Sequence, residues 1–74
     1  MSTQNFVSPE DVGARVSFQY ELPNGYVGEV VGEFRQWDDA ADAYVIVDRN
    51  GRMARVPRAG VRHGRVVSAP TPGA

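Results

Sequence analysis

Alternating side-chain patterns, one Asn-Gly dipeptide and a regular punctuation of glycine and proline predict an all-β domain of five short strands without a long helix. With 74 residues the chain is one domain, near the lower limit for a self-sufficient core. It has no cysteine, so burial and backbone pairing must hold it without a disulfide or a thiolate metal site.

Residues 1–6 are polar and are expected to fray, leaving 1–10 as a flexible N-terminus ahead of a barrel over 11–67. Ser8-Pro9-Glu10-Asp11 carries a helix-start signal, with Ser8 as cap, but Gly13 follows too soon for more than one turn. Residues 15–20 alternate Val16, Phe18 and Tyr20 against Arg15, Ser17 and Gln19, the pattern of a half-buried strand. The next stretch, 21–25, has turn chemistry in Pro23, Asn24 and Gly25. A long second strand spans 26–37, where Gly28 and Gly32 share a face with Val30 and Phe34 and mark a bend or a close backbone approach. An acidic turn follows at 38–42, then a third strand at 44–48.

Asn50-Gly51 is the strongest local signal, because a two-residue type I′ hairpin needs positive φ at both positions. A fourth strand follows at 52–56, a single 3₁₀ turn at 57–61 and a short fifth strand at 65–67. Residues 68–74 read as a disordered linker or tail. A loop after the first strand, two hairpins and a one-turn interruption before the last strand make the layout of an SH3-like barrel.

The hairpin implies a register. A two-residue loop sets Arg49 opposite Arg52, Asp48 opposite Met53 and Val47 opposite Ala54. Val45, Val47, Ala54 and Val56 then form the core face, and Asp48 lies diagonal to Arg55. The facing arginines either splay into solvent or form a guanidinium fork for phosphate or carboxylate.

Charge is sorted along the chain. Residues 1–48 hold all nine acids and two arginines; residues 49–74 hold six arginines and no acid. The net charge of −1 hides this dipole, which points to an anionic partner or a self-complementary contact. Lysine is absent, which fits a high-GC bacterial coding bias or a selection for bidentate anion contacts. Tyr20, Tyr26 and Trp37 sit at strand ends, where they either stack on a ligand or cover the barrel ends.

Catalysis is not expected. His63 is the one histidine, and no nucleophile–base pair or second imidazole accompanies it. Asp38, Asp39 and Asp42 lack the ligand spacing of a calcium loop, and Glu29 with Glu33 has no apolar pocket to make a catalytic dyad. No cofactor and no metal are expected. No segment reaches the length of a membrane span, and the N-terminus lacks a signal-peptide pattern, so the expectation is a cytoplasmic domain without membrane contact.

Asp11-Val12-Gly13-Ala14-Arg15-Val16, Leu22-Pro23 and Gly32-Glu33-Phe34 leading to Trp37-Asp38 form a longer pattern. Arg49-Asn50-Gly51, Arg55-Val56-Pro57-Arg58-Ala59 and Gly64-Arg65-Val66-Val67 continue it. Over 11–67 the chain resembles the N-terminal SH3-like domain of certain bacterial N-acetyltransferases of the GNAT superfamily. In that family a proline-rich linker follows, and 68–74 is similar in character. The glycine-rich loop that holds acetyl-CoA in that family has no counterpart here, so the resemblance implies an accessory module and carries over no catalytic residue.

The function expected is therefore a non-enzymatic interaction module that docks protein, an adjoining acetyltransferase domain included. The turn-and-glycine pattern is also similar to KOW-type barrels. A nucleic-acid-binding barrel is thus the alternative, with Arg49, Arg52, Arg58, Arg62 and Arg65 on phosphates and Tyr26 or Trp37 stacking. The overall pI near 5.7 argues against it. Self-association of an acidic front with a basic back is a third reading.

Overall fold

The computed structural model describes residues 4–69; the expected tail, from residue 70 on, lies outside the described residues. The fold is all-β, as expected, but the described residues form six strands. They are β1 (Gln4–Asn5), β2 (Arg15–Glu21), β3 (Val27–Asp38), β4 (Ala43–Val47), β5 (Met53–Pro57) and β6 (Val61–Ser68). One sheet holds them in the order β1-β6-β2-β3-β4-β5. All neighbours are antiparallel except β1 with β6. No ladder joins β5 to β1 among the described residues, so the small barrel is left unclosed.

The first correction concerns the N-terminus. Gln4 and Asn5 pair with His63 and Gly64, and Val7 is buried. The fold therefore takes in residues expected to fray. Pro9–Asp11 makes the predicted single turn, closed by a capping box. The Asp11 carboxylate accepts from Ser8 N at 2.8 Å, and Ser8 Oγ accepts from Glu10 N at 3.3 Å.

The second correction is β6, which runs from Val61 instead of Arg65. His63-Gly64 reads as a turn in sequence. In the fold Gly64 lies opposite Phe18 on the core side, where a Cβ would sit 2.7 Å from the Phe18 ring. The missing side chain makes room for that ring and does not break the strand.

The third correction is the β4–β5 register. Val47 faces Met53, Ile46 faces Ala54, Val45 faces Arg55 and Tyr44 faces Val56, one residue off the expected pairing. The cause is Asp48. Its Oδ1 accepts from the backbone N–H of Asn50 and of Arg52, both at 2.9 Å. Gly51 N donates to Asp48 O, and Asp48 N donates to Arg52 O, each at 3.0 Å. Gly51 alone in this loop has positive φ, at 78°. The result is a three-residue loop with glycine in the left-handed position, not a type I′ turn. A slip of one residue exchanges the two faces of a strand. Tyr44 and Ile46 enter the core where Val45 and Val47 were expected.

The core comprises Val7, Ala14, Val16, Phe18, Phe34, Tyr44, Ile46, Val56 and Val61, with Tyr20, Val30 and Trp37 packed against it. A bulge at Arg35 lets Phe34 and Trp37 share the core face of β3, facing Ile46 and Tyr44. Tyr44 is fully buried at the centre. Its ring centroid lies 4.6 Å from Phe18, 5.2 Å from Phe34 and 5.0 Å from Trp37. Its hydroxyl donates to Val7 O at 2.7 Å and accepts from Asn5 Nδ2 at 3.0 Å.

Gly32 meets the expected close approach: a Cβ there would lie 2.8 Å from the carbonyl carbon of Val47. Backbone cannot move aside as a side chain can. Gly32→Ala is expected to lower stability by at least about 1–3 kcal/mol in denaturant melts. Tyr44→Phe keeps the ring but strands the Val7 carbonyl and the Asn5 amide, for an expected loss of about 1–3 kcal/mol.

Candidate functional site

Sheet order disperses the charge that the sequence sorts. β5 and β6 carry the C-terminal arginines, yet β2, β3 and β4 lie between them. Arg49 sits in the β4–β5 loop, and Arg52 pairs through its backbone with Asp48, so the two arginines do not face each other. Arg58 begins the second 3₁₀ turn (Arg58–Gly60) at the opposite end of β5. Arg62 and Arg65 lie on β6.

Two ion pairs tie this half to the acidic half. Arg55 Nη1 lies 3.6 Å from Asp38 Oδ2, and Arg62 Nε lies 3.9 Å from Glu21 Oε2. Arg35 pairs with Glu33 within β3. Both partners are exposed in the Arg35 and Arg62 pairs, whereas Asp38 is half-buried beside an exposed Arg55; each pair contributes less than about 1 kcal/mol. The expected Asp48–Arg55 contact is replaced: Asp48 caps the hairpin, and Asp38 takes Arg55.

The two aromatic candidates part company. Trp37 is half-buried, stands edge-on to Tyr44, and donates from Nε1 to Asp39 Oδ1 at 3.4 Å. The Arg58 guanidinium carbon lies 6.0 Å from its ring centroid, at the outer limit of a cation–π contact. Arg58 also donates its backbone N–H to Asp42 O at 2.9 Å. Trp37 thus packs on the core and carries a cation of its own chain. Tyr26 is 72% exposed and covers nothing.

An apolar-lined concavity lies elsewhere. A groove of about 630 Å³ runs between the end of β2 and the β5–3₁₀ corner. Tyr20, Leu22 and Pro23 form one wall; Arg55, Pro57 and Ala59 form the other. The strand alternation that turns Tyr20 inward and the proline that ends β5 place these apolar groups at the open seam of the sheet. The sequence reading passed over Leu22, Pro23, Pro57 and Ala59 as turn residues. Their clustering in two loops was the available signal.

A smaller depression of about 240 Å³ on the outer face is lined by Ser17, Gln19, Glu29, His63 and Arg65. Gln19 Nε2 donates to Glu29 Oε1 at 3.4 Å. His63 is exposed there, in register with Gln19. Among the described residues no group of three or more His, Asp or Glu is placed to hold a metal ion, and no helix is long and apolar enough to cross a membrane. The Asp38–Asp42 turn is held locally, with Ala41 N donating to Asp38 Oδ1 at 3.1 Å.

Scans against protein-family models, curated proteins and solved structures each return no match to this chain.

The hairpin geometry separates two neighbouring residues. Asp48→Ala removes the acceptor of two backbone N–H groups and is expected to cost about 1 kcal/mol. Arg49→Ala removes a side chain that forms no ion pair among the described residues and is expected to stay within about 0.5 kcal/mol of the parent. Paired urea melts check both.

Proposed function

We propose that this chain is a non-enzymatic interaction module that docks a protein segment, with the seam groove as its docking surface. The observation that supports this reading is the groove itself. Its walls join the apolar groups of Tyr20, Leu22, Pro23, Pro57 and Ala59 to the charged Arg55 and Glu21. Such a surface suits an extended polypeptide, whose backbone needs polar partners and whose side chains need an apolar wall. On the resemblance described above, the partner is an acetyltransferase domain or a protein that one serves.

The nucleic-acid alternative fits less well. It needs Arg49, Arg52, Arg58, Arg62 and Arg65 on one continuous face, whereas β5 and β6 share no ladder, Arg49 and Arg58 lie beyond opposite ends of β5, and Arg62 lies near Glu21. Of its two stacking candidates, Trp37 is half-buried against Tyr44, and Tyr26 is exposed.

The test is an NMR titration of the labelled chain with a panel of extended peptides of varied composition, a single-stranded oligonucleotide and acetyl-CoA. Peptide-induced shifts at Leu22, Ala59 and Gly60 are expected, and Ala59→Glu, at an exposed position, is expected to abolish them. Shifts confined to Arg49, Arg52 and Arg65 with the oligonucleotide alone would establish the alternative. Acetyl transfer by this chain would end the non-enzymatic reading.

A further inference from the structure

β5 is the last strand of an unclosed sheet, and its free flank can be read from two hydrogen bonds. Arg52 O accepts from Asp48 N before the strand, and Arg58 N donates to Asp42 O after it. Residues 52, 54, 56 and 58 therefore turn their backbone groups toward β4. In a pleated strand the intervening residues turn theirs the other way. The N–H and C=O of Met53 and of Arg55, and the C=O of Pro57, point out from the sheet. β5 pairs with β4 alone among the described residues, so these groups have no partner strand. A row of this kind is a template for another strand.

The flank is basic and it borders the groove. Residues 52–60 contain Arg52, Arg55 and Arg58 and no acid. Met53 is 69% exposed, and Arg55 keeps 60% of its side chain exposed despite Asp38. Arg55 and Pro57 are also part of the groove wall, so a chain paired with β5 continues into the groove. We infer that the β5 edge accepts an acidic extended peptide segment as an added strand, an inference that rests on the docking reading above and names its partner.

The chemistry of the partner follows from the pleat. Residues of the added strand at alternate positions share a face with Met53, Arg55 and Pro57, and acidic side chains there meet Arg55. The intervening residues share a face with half-buried Ala54 and buried Val56, and these are apolar. A lysine at the first set of positions faces a like charge. Pro57 removes one outward donor and limits the pairing to the Met53–Arg55 stretch. Asp38 is the internal rival for Arg55. Its other oxygen accepts from Ala41 N, a bond that asparagine retains.

The experiment uses the whole chain and two synthetic peptides of about eight residues, one alternating valine with glutamate and one alternating valine with lysine. A single-stranded oligonucleotide is the third arm. The glutamate peptide is expected to slow hydrogen exchange at the Met53 and Arg55 amides and to weaken at least about tenfold between about 50 and 200 mM salt. Arg55→Glu is expected to abolish its binding, and Asp38→Asn to tighten it several-fold. Met53→Pro removes an outward donor, leaves the bonds toward β4 in place and is expected to weaken binding with an unchanged melting curve. If Arg55→Glu fails to fold, Arg55→Ala carries the same test.

Shifts at Leu22, Ala59 and Gly60 without protection at Met53 and Arg55 would overturn strand addition and leave groove docking standing. Equal binding of the lysine peptide, or tighter binding of the oligonucleotide at this edge, would overturn the acidic partner. Silence from every peptide would end both readings.

Discussion

A single buried hydroxyl organises this domain. Tyr44 is a tyrosine at the centre of a core otherwise built from apolar side chains, and a buried phenol is tolerated only if its polar end is satisfied. Val7 O and Asn5 Nδ2 satisfy it, and both come from the N-terminal segment. That segment is fixed to β6 by a two-residue parallel ladder and by Phe6 N donating to Gly64 O at 2.9 Å. Phe18, Phe34 and Trp37 gather on the same ring from β2 and β3. The tyrosine thus connects β2, β3 and its own strand β4 to a segment with little secondary structure of its own.

Much of the strand pattern was legible because period-2 alternation is local. Val16, Phe18 and Phe34 declare their face by their own neighbours, and all three are core residues. The parts that were missed depend on contacts distant in sequence or on one competing side chain. Gln4 and Asn5 are polar in sequence and become structural only because β6 and Tyr44 offer partners far along the chain. Asn50-Gly51 suggests a two-residue turn, but Asp48 supplies an acceptor that favours the longer loop. That one carboxylate shifts every pair in the hairpin and decides which side chains of β4 the core receives. The groove was hidden for a related reason: its walls come from two loops that meet only after the sheet bends.

Charge order in sequence and charge order in space are different quantities here. All the acids and six of the eight arginines occupy separate parts of the chain, and the strand order interleaves those parts. Arg55 finds Asp38 and Arg62 finds Glu21 as a direct outcome. What survives of the asymmetry is local: a basic flank along β5, and a hairpin loop whose acid, Asp48, is turned onto its own backbone. A linear charge map is therefore a poor guide to the potential around a sheet protein.

The parallel pairing of β1 with β6 joins the beginning and the end of the described chain. During synthesis Tyr44 leaves the ribosome while the strand that will hold Asn5 against it is still unmade. The middle strands can form their hairpins in order, but the hydroxyl's partners have no anchor until His63 and Gly64 emerge. Such end-to-end dependence raises contact order and makes closure a late, all-or-none event. Until β6 has emerged, the chain is a meander of strands with a wet tyrosine at its centre.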